Sequence, residues 1–141
     1  MKQRPPTDFE LLKEIYARYR DEFPKYVQAA ERSRATKIFV PIDLQRIAAD
    51  LGVDVDSVFG RLYYHLEPKY GEQVSQSRDP QKAFFAPIVG DDQNCVNFPL
   101  LEAVLASLWQ QQRRDQLAIA TAVVSFAIAL GALIVSIIAI A

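Results

Sequence analysis

His65 and Cys95 are the side chains best suited to nucleophilic or metal chemistry, and each is the sole residue of its type in the chain. A Cys95–His65 dyad would be the arrangement for covalent catalysis, because a cysteine needs a neighbouring base to become a strong nucleophile. The local patterns point elsewhere. Cys95 stands in the apolar run Cys95-Val96-Asn97-Phe98, the setting of a packed side chain, and His65 lies beside the inward stripe of a helix. Neither has a partner at metal-ligand spacing. Asp91-Asp92 reads as a solvated turn, and the five glycines are scattered rather than gathered into a phosphate-cradling loop. The expectation is a non-enzymatic protein with no catalytic residues, no cofactor and no metal.

Recognition of a partner is the other chemistry on offer. One helical segment would present Asp56, Ser57, Gly60, Arg61, Tyr64, His65 and Lys69 outward. Arg61, Tyr64, His65 and Lys69, joined by Arg78 and Lys82 further on, are the candidate contacts for DNA or for a protein. Charge weighs against DNA, since phosphate neutralisation supplies most non-specific affinity. Residues 47–100 carry four cations against eight anions, a net charge of -4. Residues 1–46 carry ten cations against seven anions, net +3, so any basic patch is expected there.

These positions need elements to hold them. Pro5-Pro6 is an extended lead-in, and Thr7-Asp8-Phe9-Glu10 has the form of a capping box opening a helix. Phe9, Leu12, Ile15, Tyr16, Tyr19 and Phe23 follow at helical spacing. Pro24 ends that helix or starts a short second one carrying Tyr26, Val27 and Ala30. Lys37 to Ile42 is β-branched and aromatic, hence a strand. Asp43 caps a helix from Leu44 to Leu51, with Gly52 as its left-handed stop. Asp54 or Asp56 caps the next, whose inward positions are Val55, Val58, Phe59, Leu62 and Leu66. Residues 83–89 and 95–98 flank Gly90-Asp91-Asp92-Gln93-Asn94 as a hairpin with a five-residue turn. Pro87 puts the first of these strands at an edge or a bulge. Pro99 opens a last helix with Leu101, Val104, Leu105 and Leu108 on one face.

The order is helix, strand, helix, helix, hairpin, helix. From Ile38 to Phe98 it resembles the winged-helix, or helix-turn-helix, superfamily. Ile38-Phe39-Val40 stands as first strand, Asp43–Leu51 with Gly52 as first helix of the pair, Asp56–Leu66 in the recognition-helix position and the hairpin as wing. That resemblance implies a fold, and a DNA- or protein-binding role, without naming a reaction.

Leu117 to Ala141 is of another kind. It is 25 residues with no charged residue, proline, asparagine or glutamine. As a helix it would run ~37 Å, against a hydrocarbon core of ~30 Å. A domain of the remaining size has no interior to hide such a rod on all sides. The expected plan is a winged-helix-like cytoplasmic domain, mainly α with a small β-hairpin, plus one C-terminal transmembrane helix. Residues 1–36 are an N-terminal helical region, 37–112 the winged-helix-like domain with its last helix, 113–116 a basic juxtamembrane linker and 117–141 the span. Arg113 and Arg114 before the span place the domain in the cytoplasm by the positive-inside rule. With no leader before it and nothing after it, the span reads as a tail anchor, in a bacterial inner membrane. Within it Ala118, Ala122, Ser125, Ala129, Ala132, Ser136 and Ala139 recur at alternating steps of four and three. A stripe of small side chains lets two helix backbones approach closely, so a homodimer through the span is expected. The function expected from all this is a membrane-held protein-interaction or adaptor module with an unknown protein partner. The alternative is a membrane-tethered DNA-binding regulator, which the charge disfavours.

Overall fold

The structure is a computed structural model that describes residues 4–26, 34–71 and 82–141. The chain divides into two compact units, Met1–Ala106 and Ser107–Ala141. It is mainly helical, with one small antiparallel sheet.

In the first unit the helix starts and stops follow the local chemistry expected of them. Helix α1 spans Asp8–Tyr19 behind a complete capping box: the Thr7 side chain accepts from the Glu10 backbone, and Glu10 accepts from the Thr7 backbone N–H at 2.8 Å. Leu11, Leu12, Ile15 and Tyr19 are its buried face. A short 3-10 turn, Phe23–Lys25, carries Pro24. Of the second helix expected after Pro24, Tyr26 lies beyond this turn, while Val27 and Ala30 fall outside the described residues. Helix α2, Leu44–Leu51, is capped by the Asp43 carboxylate and ends on Gly52 at φ 66°, the left-handed conformation that glycine adopts without strain. Asp54 caps α3, Val55–Gly60, by accepting from the Asp56 N–H.

From α3 the chain stays helical but changes its winding. Arg61–Leu66 is a π segment, and α4 follows at Glu67–Tyr70. Val58, Leu62 and Leu66 keep the inward face buried throughout.

The sheet has the order β1-β3-β2, built from Phe39–Pro41, Phe85–Val89 and Asp92–Asn97. The central strand β3 pairs antiparallel with both neighbours. Pro87 is on an edge strand, where its missing N–H costs no ladder bond. The hairpin turn is shorter than the composition of residues 90–94 implies. Val89 pairs with Asp92, leaving a two-residue turn, Gly90-Asp91, with Gly90 at φ 60°. Asp92, Gln93 and Asn94 are polar, but strand pairing is made by backbone groups, and their side chains are not needed in the core.

Two polar side chains fasten these parts together. Glu67 Oε2 accepts from the backbone N–H groups of Phe84 and Phe85, each at 2.7 Å, and so ties α4 to the start of β2. Arg34 is buried at 6 % exposure, and its guanidinium donates to the carbonyls of Glu22, Phe23, Thr36 and Lys37. The rings of Phe23 and Tyr26 lie near it, with centroids at 5.8 and 5.4 Å.

The core gathers Leu12, Ile15, Ile47, Leu62, Phe84, Val96, Phe98 and Leu101, all essentially inaccessible. Phe98 and Leu101 come from the first turns of α5, which spans Phe98–Ile140. The second unit is the remainder of that helix. It is long and apolar enough to cross a membrane, and none of its most apolar stretch is buried within the protein.

Glu67→Ala removes the acceptor of two N–H groups at the foot of the hairpin. It is expected to destabilise the domain by about 1–3 kcal/mol, the cost of leaving such donors unpaired. A thermal melt of the full chain in detergent, followed by circular dichroism, checks this.

Candidate functional site

The candidate contact residues sit on the helical run from α3 to α4, where the sequence sorts three faces. Val58, Leu62 and Leu66 point into the core. Arg61, His65 and Lys69 form a second line. Tyr63 and Tyr64 form a third, 41 % and 74 % exposed. Residues four apart overshoot one turn of an α-helix, with its 3.6 residues per turn. In a π-helix, whose bonds run i→i+5, they fall short of one. Mixing the two windings offsets the drift and keeps 61, 65 and 69 on one line.

All three members of that line meet the carboxylate of Asp8, in the first turn of α1. Arg61 places Nε at 2.9 Å and Nη2 at 2.8 Å from Asp8 Oδ1. His65 Nε2 lies 3.1 Å and Lys69 Nζ 3.3 Å from Oδ2. The Asp8 side chain is only 13 % exposed, against 32 % for Arg61, 50 % for His65 and 47 % for Lys69. Burial pushes the Asp8 carboxyl up, but the hydrogen bonds from Arg61, His65 and Lys69 outweigh it and hold the group below its usual range. Hydrogen bonding to Tyr70 and then to Asp8 raises Lys69 in turn. The cations named as DNA contacts are thus turned onto a carboxylate of the same domain.

Two further sequence-derived positions are Arg78 and Lys82. Lys82 is exposed just before β2, and Arg78 lies outside the described residues. Part of the basic charge of the N-terminal region is engaged within the domain, while Lys13, Lys25 and Lys37 are exposed. Arg4 pairs with Glu10 at 2.6 Å, Arg18 with Asp50 and Glu14, Arg46 with Asp43, and Arg34 is buried. The Arg4 hydrogen bond, with that of the Thr7 backbone, holds the Glu10 carboxyl at about 2. Cys95 is buried in β3, and burial, followed by the charge of Asp92, pushes its thiol up to about 11. No hydrogen bond joins it to His65, which faces Asp8. Among the described residues no group of three or more His, Cys, Asp or Glu is placed to hold a metal ion.

What remains exposed is aromatic. Tyr64 meets Tyr63 edge to face at 5.0 Å, Tyr63 stacks on Phe59 at 5.5 Å, and Phe59 meets the buried Phe85 at 5.8 Å. A chain of ring contacts thus runs from the surface to the core. Ile88, 72 % exposed, is on the same strand as Phe85. Tyr63 and Ile88 were not among the sequence-derived positions. The signal for them was an aromatic and a β-branched side chain outside the inward stripe.

Because Asp8 is held low in the folded protein, its stabilisation is complete above the ordinary aspartate range near pH 4. It is lost as pH falls through the lowered folded value. Asp8→Asn should cost about 1–3 kcal/mol at neutral pH. The gap to wild type should close at the acid end, which chemical denaturation at a series of pH values measures. No protein-family model matches this chain, and no curated protein or solved structure matches it.

Proposed function

We propose that this chain is a membrane-tethered protein-interaction module: a winged-helix-like domain whose α3–α4 face docks a protein partner. The observation that carries this is the division of that face. Its cations are engaged by Asp8, while Tyr63 and Tyr64 stand exposed on a ladder of rings anchored in the core. Rigid aromatic side chains are the commonest centres of binding energy at protein interfaces. The winged-helix reading is supported by the element order and by the sheet order β1-β3-β2, in which the hairpin adds to the strand that precedes α2. The tether is the apolar part of α5, and Arg113 and Arg114 before it favour a cytoplasmic domain.

The spans themselves are proposed to pair. Thr121 donates to the Leu117 carbonyl and Ser136 to the Ala132 carbonyl, each at 2.9 Å. Ser125 makes no such bond and lies in the small-residue stripe with Ala118, Ala122, Ala129 and Ala132. In lipid an unsatisfied hydroxyl favours a partner across a close helix pair.

A photoreactive residue in place of Tyr64, in the full chain in native membranes, should crosslink to protein, while one at Lys13 should not. Tyr63→Ala with Tyr64→Ala should weaken capture of that partner by about 2 kcal/mol or more. Absence of a Tyr64-specific protein adduct, together with salt-dependent binding of a labelled duplex, would replace this reading with DNA binding. Recovery of the full chain in the soluble fraction without detergent would remove the tether. Ser125→Leu with Ala129→Leu should abolish span association in a two-hybrid assay for membrane helices. Unchanged association would end the pairing proposal.

A further inference from the structure

In the two turns before its apolar run, α5 carries three large side chains with no partner in the protein. Trp109, the only tryptophan of the chain, is 60 % exposed. Neither it nor Arg113 nor Arg114 makes a side-chain hydrogen bond, ion pair or ring contact among the described residues. Residues 110–116 carry the two arginines against Asp115 alone, net +1. At about 100° per residue, Arg113 lies only about 40° round the helix from Trp109. Arg114 and Asp115 are turned away from it by about 140° and 120°, to opposite sides. One face therefore sets an indole beside a guanidinium. That face is about 180° from Ala118, where the small-residue stripe begins, so it points away from any paired span.

We propose that this face, Trp109 with Arg113, docks on the phosphate head groups of the bilayer and sets the direction in which the span leans. The inference rests on the reading of α5 as a membrane span and extends its lipid contact two turns beyond the apolar run. As a helix, residues 117–141 measure ~37 Å against a hydrocarbon core of ~30 Å, and a tilt absorbs the excess. Head groups add about 5–8 Å on each side of that core. Arg113 stands about 6 Å along the axis from Leu117, within this layer, where its planar fork fits a lipid phosphate. Trp109 stands about 12 Å along the axis, above the layer if the helix is upright. A lean of about 35° lowers its axis position to about 10 Å, and the underside of the helix hangs about 3 Å lower still. The indole then reaches the head groups only when its own face is the underside. There its apolar body and its N–H donor are both accommodated, which is why tryptophan collects at membrane surfaces. The ring and the cation share one face, so they favour the same direction of lean, and interfacial anchors of this kind decide it.

The test uses the full chain in phosphatidylcholine vesicles, with Trp109 as its own reporter. The lipid carries a nitroxide either on the head group or at mid-chain, and flotation first establishes that the chain is with the vesicles. Trp109 emission should lie to the blue of indole in water, and the head-group nitroxide should quench it severalfold more than the mid-chain one. Trp109→Phe with Gln111→Trp moves the ring to the opposite face, about 3 Å nearer the core along the axis but on the raised side. Quenching by the head-group nitroxide should then fall. Repeating that comparison with Ser125→Leu and Ala129→Leu removes a paired span as a source of shielding at position 111. Arg113→Gln should lower the quenching of Trp109, while Arg114→Gln, the same loss of charge on another face, should leave it unchanged. Emission like that of indole in water, stronger quenching at position 111 than at 109, or equal effects of the two arginine changes overturns the proposal. With each of those results a chain that floats still has its tether. A chain that stays out of the vesicle fraction overturns the tether and this inference with it.

Discussion

The Asp8 carboxylate determines which chemistry the domain shows to its surroundings. It gathers three basic side chains that are 53, 57 and 61 residues away in sequence. Without it, Arg61, His65 and Lys69 would stand in line on the helix surface with the charges of Arg61 and Lys69 unpaired by it. With it, they are drawn to the first turn of α1, where a negative side chain is also favoured by the helix dipole. Partial burial makes the attraction stronger than in a fully solvated pair. The contact joins the N-terminal helix to the α3–α4 run and leaves the neighbouring face to tyrosines.

That exchange shapes the functional reading. A helix in this position can address a duplex through cations or a protein through aromatic and apolar groups, and here the two sets are adjacent but unequally available. Tyr64 is far more exposed than Asp8, and its ring is held by contacts leading to Phe85. A side chain already fixed by its neighbours loses little conformational freedom on docking. The cations, by contrast, would have to leave a carboxylate that competes with any phosphate.

Much of the architecture was legible locally. Thr7 with Glu10, Asp43 and Gly52 act within a few residues of themselves, so their caps and stops follow from the chain alone, while the choice between Asp54 and Asp56 as the next cap was left to the structure, which has Asp54. Pro87 was legible for the same reason, since a missing N–H restricts where a strand can lie. The hairpin turn was read too long because Asp92, Gln93 and Asn94 look like turn residues, whereas register is decided by pairing with β2. Arg34 looked like part of a basic surface, and its burial depends on four carbonyls that the fold brings around it. The site was hidden for a related reason. Counting charge treats each ionised group as solvated, and the pairing of Asp8 with Arg61 is visible only when segments far apart in sequence meet. The π segment has no composition of its own.

The proposed tether would change how strong the proposed aromatic docking face must be. Two proteins confined to one bilayer meet at an effective concentration that can reach the millimolar range. A dissociation constant near 1 mM corresponds to about 4 kcal/mol, which roughly two well-seated aromatic side chains can supply. Under that proposal a patch too small to hold a partner in dilute solution would be sufficient, and detachment from the lipid surface alone would dissolve the complex.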